Sequence, residues 1–178
     1  MVVAPDLSVL LTADQIRQRI EELVIEVNRH YPPGRDPHLV AVLKGGVVFL
    51  ADFMRAMGRP LTMDLIALSS YGAETRSSGV VTVQKALQQD PAGRDVLIVE
   101  DIVDSGRTLA WLQSMLAGRR PRSIRTVALL DKPARRETPV PLEHVGFTVD
   151  DRFVVGYGLD CNERYRELPY VAVLDEAG

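Results

Sequence analysis

Apolar and polar positions alternate along the chain with two different periods, and the changes of period mark out the elements. Thr12, followed three residues later by Gln15, reads as a capping box opening a helix. Ile16, Ile20, Leu23, Val24 and Val27 then recur on one helical face, until the turn-rich Tyr31-Pro32-Pro33-Gly34 ends it. His38 to Leu43 is a short apolar run, predicted as a strand buried on both faces. Lys44-Gly45-Gly46 follows, and Val47 to Met57 has helical character that stops at Gly58. Leu61 to Leu68 reads as a second buried strand, and Val80 to Val83 as an exposed one. Between them, residues 69–79 (SSYGAETRSSG) are polar and glycine-containing, the composition of a flexible loop.

The second half repeats the alternation. Val96 to Val99 is a strand, residues 100–107 a turn, Thr108 to Leu116 a helix, and Ile124 to Leu130 another buried strand. From Val145 onward the tail holds short β-like runs interrupted by the polar stretch Asp160 to Glu167. Strands alternating with helices predict an α/β protein with a mostly parallel sheet and right-handed crossovers. With no internal repeat, linker or low-complexity segment, the 178 residues read as one domain.

Composition narrows the picture without specifying chemistry. The chain is 46% hydrophobic and 25% charged, as in an ordinary globular protein. A net charge of −3 with 6% aromatics gives no broad basic field for nucleic acid. The apolar runs are too short to span a bilayer, and no basic segment leads into an apolar one as in a secretory signal. The single cysteine, Cys161, cannot form an internal disulfide and fits a reducing compartment. A cytoplasmic protein with no membrane partner is expected. His30, His38 and His144 lack metal-ligand spacing and read as structural or surface residues. Arg119-Arg120-Pro121-Arg122 reads as a solvated helix terminus.

The most informative segment is VLIVEDIVDSGRTL, residues 96–109. Four apolar residues bring Glu100 and Asp101 to the carboxyl end of a strand, where open α/β sheets bind ligands. Asp104-Ser105-Gly106-Arg107-Thr108 then turns directly into a helix. Gly106 permits close backbone approach, Ser105 and Thr108 carry hydroxyl donors, and the helix N-terminus offers N–H groups and a positive dipole end. Those features make a phosphate cradle, and the adjacent carboxylates suit a hard cation such as Mg²⁺ carried by a sugar phosphate. Taken alone, the same pattern is also met by solvated loop acids with Asp104 capping a helix. A phosphoacceptor receiver domain likewise clusters acids at strand ends, although on separate strands. ATP binding through a P-loop is excluded, because no GxxxxGK[ST] occurs.

VEDIVDSGRT resembles the signature with which type I phosphoribosyltransferases bind phosphoribosyl pyrophosphate (PRPP): an acidic pair, two residues, then D-S/T-G-x-T. LKGGVVFLADF resembles the pyrophosphate loop of the 6-oxopurine (hypoxanthine-guanine) members, in which the backbone between the lysine and first glycine can be cis. Leu68-Ser69-Ser70-Tyr71-Gly72 resembles the start of the family's lid. DRFVVGYGLDCNERYREL resembles the base-binding and pyrophosphate-binding end of the bacterial 6-oxopurine enzymes. The likeness extends over almost the whole chain, from the Thr12 helix to LPYVAVL. It departs from the family pattern at Cys161-Asn162, where relatives often carry an aromatic and a small residue.

The resemblance implies the type I phosphoribosyltransferase fold: a central, mostly parallel twisted sheet flanked by helices. A flexible lid loop covers about 69–79, and a small hood comes from the terminal segments, including about 145–178. It implies transfer of the 5-phosphoribosyl group from PRPP to N9 of hypoxanthine or guanine, with pyrophosphate released. A xanthine-preferring enzyme and an RNA-binding regulator on the same fold are the alternatives; a pyrimidine enzyme is disfavoured by the Lys132 and Phe153-Val154 segments. By the same resemblance, Asp104 is the catalytic base, and Asp104, Ser105, Gly106, Arg107 and Thr108 hold the 5′-phosphate. Lys44, Gly45 and Arg166 meet pyrophosphate, while Ser70 and Tyr71 belong to the lid. Lys132, Phe153 and Val154 bind the purine, and Glu100, Asp101 and Asp160 serve the metal, Mg²⁺. A homodimer or homotetramer is implied as well.

Overall fold

A computed structural model describes residues 7–70 and 81–174. Six strands form the main sheet: β2 (Pro37–Leu43), β3 (Thr62–Ser70), β4 (Val81–Lys85), β5 (Asp95–Val103), β6 (Ser123–Asp131) and β7 (His144–Thr148), in the order β4-β3-β2-β5-β6-β7. All neighbouring pairs run parallel except β3 with β4. The helices are α1 (Ala13–Asn28), α2 (Gly46–Ala56) and α3 (Arg107–Ala117). A smaller antiparallel sheet joins β1 (Leu7–Leu11), β9 (Val171–Leu174) and β8 (Val154–Val155), so both ends of the chain build the hood.

The apolar periodicities account for these layers. The capping box at Thr12 is made in both directions, with Gln15 N donating to Thr12 Oγ1 and Thr12 N donating to Gln15 Oε1. All five residues of the predicted α1 stripe are buried. On one side of the sheet, Leu39, Ala41, Leu97, Val99 and Leu129 pack with α1, α2 and the hood residues Val154, Leu159 and Val171. On the other, Val40, Val96, Ile98 and Ala128 pack with Leu109, Leu112 and Leu116 of α3. Successive strand residues therefore face different helices, which explains why β2 and β5 read as continuous apolar runs. Each buried Val, Leu or Ile contributes about 1.5–3 kcal/mol relative to exposure.

The structure departs from the sequence reading at several points, among them β3, which runs on through Ser69 and Ser70, residues read as the start of the loop. The strand predicted at 96–99 continues to Val103, so Glu100 and Asp101 lie inside β5 and the turn is only 104–106. Pairing of Ile102 and Val103 with Leu130 and Asp131 supplies the ladder that propensity did not reveal. β7, counted with the hood, pairs with β6 in the main sheet, and the hood begins after it. Arg122 is exposed, as read, and in addition donates to buried Asp95, which also accepts from Arg35 and Ser123. The histidines are structural, as expected. His38 is buried against Thr62, and His144 is buried 3.6 Å from Glu26 with its ring 5.2 Å from His30.

Candidate active site

The sheet order creates the site. β2 continues outward to β3, while neighbouring β5 continues the other way to β6, so a crevice opens where the connections diverge. At its mouth stand Lys44 and Gly45 after β2, and Glu100 to Thr108 at the end of β5. Two adjoining clefts line this edge, of about 210 and 360 Å³. The first gathers Glu100, Asp101, Asp104, Ser105, Gly106 and Thr108. The second includes Lys44, Gly45, Lys132, Phe153, Asp160 and Arg166. Asp101 and Asp104 border both.

Close contact makes the two neighbouring strand ends one surface. A side chain on Gly45 would place its Cβ only 1.7 Å from the Asp101 carboxylate. The Gly45 carbonyl in turn lies 2.3 Å from where a Cβ on Gly158 would sit. Only glycine permits this stack of loop, acid and hood. The cis peptide bond of this loop joins Leu43 and Lys44, one residue earlier than the resemblance implies.

Glu100 and Asp101 set the electrostatics. Glu100 is 5% exposed, and burial, reinforced by the Asp101 charge, pushes its carboxyl well above the usual range. Burial likewise pushes Asp101 up to about 6. Within that balance a hydrogen bond from the Ile102 amide and the Arg166 charge oppose the rise, and the Asp160 charge adds to it. Adjacent acids, one buried and one half-buried, that resist ionisation are a donor set suited to a cation arriving with a ligand. Among the described residues no three His, Cys, Asp or Glu side chains cluster into a cage of their own. The set therefore fits a metal whose remaining ligands are substrate oxygens and water, as Mg²⁺ prefers.

Beyond the acids, Gly106 stands at the N-cap of α3 in the left-handed region (φ 83°) and has no side chain with which to cap it. The Arg107 amide reaches Ser105 Oγ at 3.4 Å. One Asp104 carboxylate oxygen is buried without a hydrogen bond, 3.4 Å from Arg135 Nε.

In the second cleft, Lys132 is 5% exposed and its ammonium donates to the Arg152 carbonyl at 2.6 Å. Phe153 stands 52% exposed beside it, while its carbonyl accepts from Leu174 N in the hood and Val154 is buried. Arg166 donates to Gly158 O at 2.8 Å and pairs with Asp160 at 2.8 Å. Of the lid residues, Ser70 ends β3, and Tyr71 lies outside the described residues, as does the rest of the expected loop to 79.

Three contributors went unnoticed in the sequence. Glu163 pairs with both Lys44 (3.0 Å) and Arg166 (3.3 Å), from a turn in which Asn162 and Glu163 have positive φ. Arg135 and Arg136 approach the phosphate loop from the segment after β6. For Glu163 the departure at Cys161-Asn162 was a nearby signal; for the arginines there was none, since adjacent arginines after a strand are ordinary surface composition.

A crevice at a sheet's switch point, an acid pair and a glycine-opened helix N-terminus are the features expected of a phosphoribosyltransferase. The chain belongs to the phosphoribosyl transferase domain family, which matches residues 7–162. More particularly, it is 51% identical over 173 residues to the hypoxanthine-guanine phosphoribosyltransferase of Mycobacterium avium, covering 94% of this chain and 85% of that one. The Bacillus subtilis enzyme of the same name is 45% identical, over 95% of this chain and 93% of that one. Among solved structures, the hypoxanthine phosphoribosyltransferase of Trypanosoma cruzi, in complex with its product IMP, superposes with a TM-score of 0.90 at 38% identity. That match covers 99% of this chain and 98% of that one. The hypoxanthine phosphoribosyltransferase of Staphylococcus aureus gives 0.91 at 39% identity, over 96% and 92%.

Proposed function

We propose that this protein is a purine salvage enzyme that transfers the 5-phosphoribosyl group of PRPP to N9 of hypoxanthine or guanine, giving IMP or GMP and pyrophosphate. The observation that carries the reading is the pair of adjoining clefts, bordered in common by Asp101 and Asp104, that set Glu100 and the Asp104–Thr108 turn in one and the buried Lys132 in the other. The IMP-bound relative supports it.

In this reading the loop Asp104 to Thr108 anchors the 5′-phosphate, which fixes C1′ of the sugar in place. The purine N9 forms a bond to C1′ as the bond from C1′ to pyrophosphate breaks, and charge accumulates on the sugar as in glycoside cleavage. Asp104 accepts the N7 proton. Lys44, Gly45 and Arg166 receive the leaving pyrophosphate. Glu100, Asp101 and Asp160 would hold Mg²⁺, through water, or the ribose hydroxyls, and the ion would supply charge neutralisation for the departing pyrophosphate. Ser70 and Tyr71 contribute to a lid that excludes water from the sugar carbon.

Lys132 supplies base choice. An ammonium has donors only, so it pairs with a 6-oxygen and leaves adenine's 6-amino hydrogens without an acceptor. Phe153 offers an exposed aromatic face for stacking, and the backbone at Val154 reads the 2-substituent edge.

The chain is read as one domain, because the hood and main sheet share a continuous core. Assembly as a homodimer or homotetramer and a cytoplasmic setting follow the family resemblance; among the described residues no helix is long and apolar enough to cross a membrane. The test is to incubate purified protein with PRPP, Mg²⁺ and hypoxanthine or guanine and separate the nucleotides. IMP and GMP should form and cease to form when EDTA is added. Absence of both nucleotides with Mg²⁺ present contradicts the proposal.

A further inference from the structure

We infer that Arg136 is a positioning residue that fastens the phosphate loop and the base-reading lysine into one unit; this rests on the assignment of residues 104–108 to the 5′-phosphate. Arg136 follows the short 3-10 turn Pro133–Arg135 that leaves β6, and its side chain is largely buried. One end of its guanidinium pairs with Asp131, itself largely buried and adjacent to Lys132. The same group donates to the carbonyls of Asp104 (3.1 Å) and Val103 (3.3 Å). Backbone contacts continue the seam. Lys132 N donates to Val103 O, while Glu137 N and Thr138 N both donate to Ser105 O, each at 3.0 Å. A Cβ on Gly106 would lie 2.8 Å from Arg136 Cδ and 2.5 Å from Thr138 O, so the two segments are in intimate contact.

The carbonyls of three consecutive residues, 103 to 105, are thus turned towards residues 132–138. In a trans peptide the C=O of one residue and the N–H of the next point in opposite directions. Holding the carbonyls of Asp104 and Ser105 back therefore aims the amides of Ser105 and Gly106 away from Arg136, as an anion-binding turn requires. The planar guanidinium, with five N–H groups in a fixed fork, reaches two carbonyls and a carboxylate together. A lysine ammonium is a point donor and cannot span them. The same fork holds Asp131, and with it the start of the Lys132 backbone. The phosphate loop and the purine lysine are therefore set by one side chain that need touch neither substrate.

Steady-state kinetics of Arg136→Lys, alongside Thr108→Ala and Lys132→Met, test this. Thr108→Ala should raise the KM for PRPP and Lys132→Met the KM for hypoxanthine, each with little change in the other. Arg136→Lys should raise both KM values together, by about tenfold, the scale of one lost charge-assisted hydrogen bond. Far-ultraviolet circular dichroism establishes that the variants fold. Should Arg136→Lys not fold, Asp131→Asn keeps the arginine, loosens one end of the fork and should raise both KM values to a smaller degree. A folded Arg136→Lys with only a lowered melting temperature, or with one KM changed alone, overturns the inference while leaving the loop assignment standing. If Thr108→Ala leaves the KM for PRPP unchanged, the loop assignment falls and the inference falls with it.

Discussion

The side of the cleft proposed to hold phosphate comes from one continuous run, Glu100 to Thr108, in which a strand ends in a tight turn and a helix begins. The side proposed to hold the base and pyrophosphate is gathered from distant parts of the chain: Lys132 after β6, Phe153 and Val154 at the hood's edge, and Arg166 from the loop before β9. The first presents backbone amides, the buried Glu100 and the half-buried Asp101; the second presents chiefly individual side chains. A backbone site depends on conformation, so it fails when a glycine or a bracing contact is changed. A side-chain site depends on a few functional groups, so it fails selectively, one substrate feature at a time.

Four substitutions break or sharpen this contrast. Asp104→Asn sits between the two halves and should have the largest effect, lowering kcat by about 10²–10⁴ while PRPP still binds. Single-turnover kinetics beside a PRPP binding isotherm would check it; near-full kcat in a folded, PRPP-binding protein removes Asp104 as the base. Lys132→Met should lower kcat/KM for hypoxanthine about 10²-fold or more, with a much smaller loss on the poor substrate adenine. Gly106→Ala should act on the other half. The left-handed backbone and the 2.5 Å approach to Thr138 O leave no room for a methyl group. A cost of about 1–2 kcal/mol for that conformation alone raises the KM for PRPP about tenfold or more.

Asp95→Asn, at the opposite end of β5, should be the smallest and purely structural. Arg35 first, then Ser123 and Arg122, hold the Asp95 carboxyl at about 2, against the desolvation that acts the other way. Its folded value lies below its unfolded one, so its stabilisation is present above roughly pH 4 and is lost as pH falls through about 2. Partial exposure of both arginines holds that contribution to about 1–2 kcal/mol. Urea denaturation should show Asp95→Asn less stable at pH 7, the gap narrowing at pH 3, with KM values unchanged at pH 7.

The same contrast governs how much could be read in the sequence. The α1 stripe, the double-faced apolar strands and the phosphate turn are local patterns, and each is legible because its residues are contiguous or follow a helical or strand period. The extension of β5 through Glu100 and Asp101 is not, because it depends on the ladder to β6. Nor could spacing place Gly45 against Asp101, since which strands become neighbours is decided by sheet order. Lys132, Phe153 and Arg166 carried meaning only through family resemblance, because each alone is an ordinary surface or core residue. Glu163 and Arg136 escaped notice for the same reason: their roles lie in pairings across the fold, with Lys44 for the one and with the carbonyls of Val103 and Asp104 for the other.

The most direct measurement is nucleotide formation by the unmodified protein from PRPP and Mg²⁺ with hypoxanthine, guanine, xanthine, adenine and uracil in parallel. Hypoxanthine and guanine should be converted rapidly, with adenine a poor substrate and uracil inert. Conversion of adenine at a rate comparable to hypoxanthine would contradict the role given to Lys132, and conversion of xanthine alone would contradict the assigned substrates.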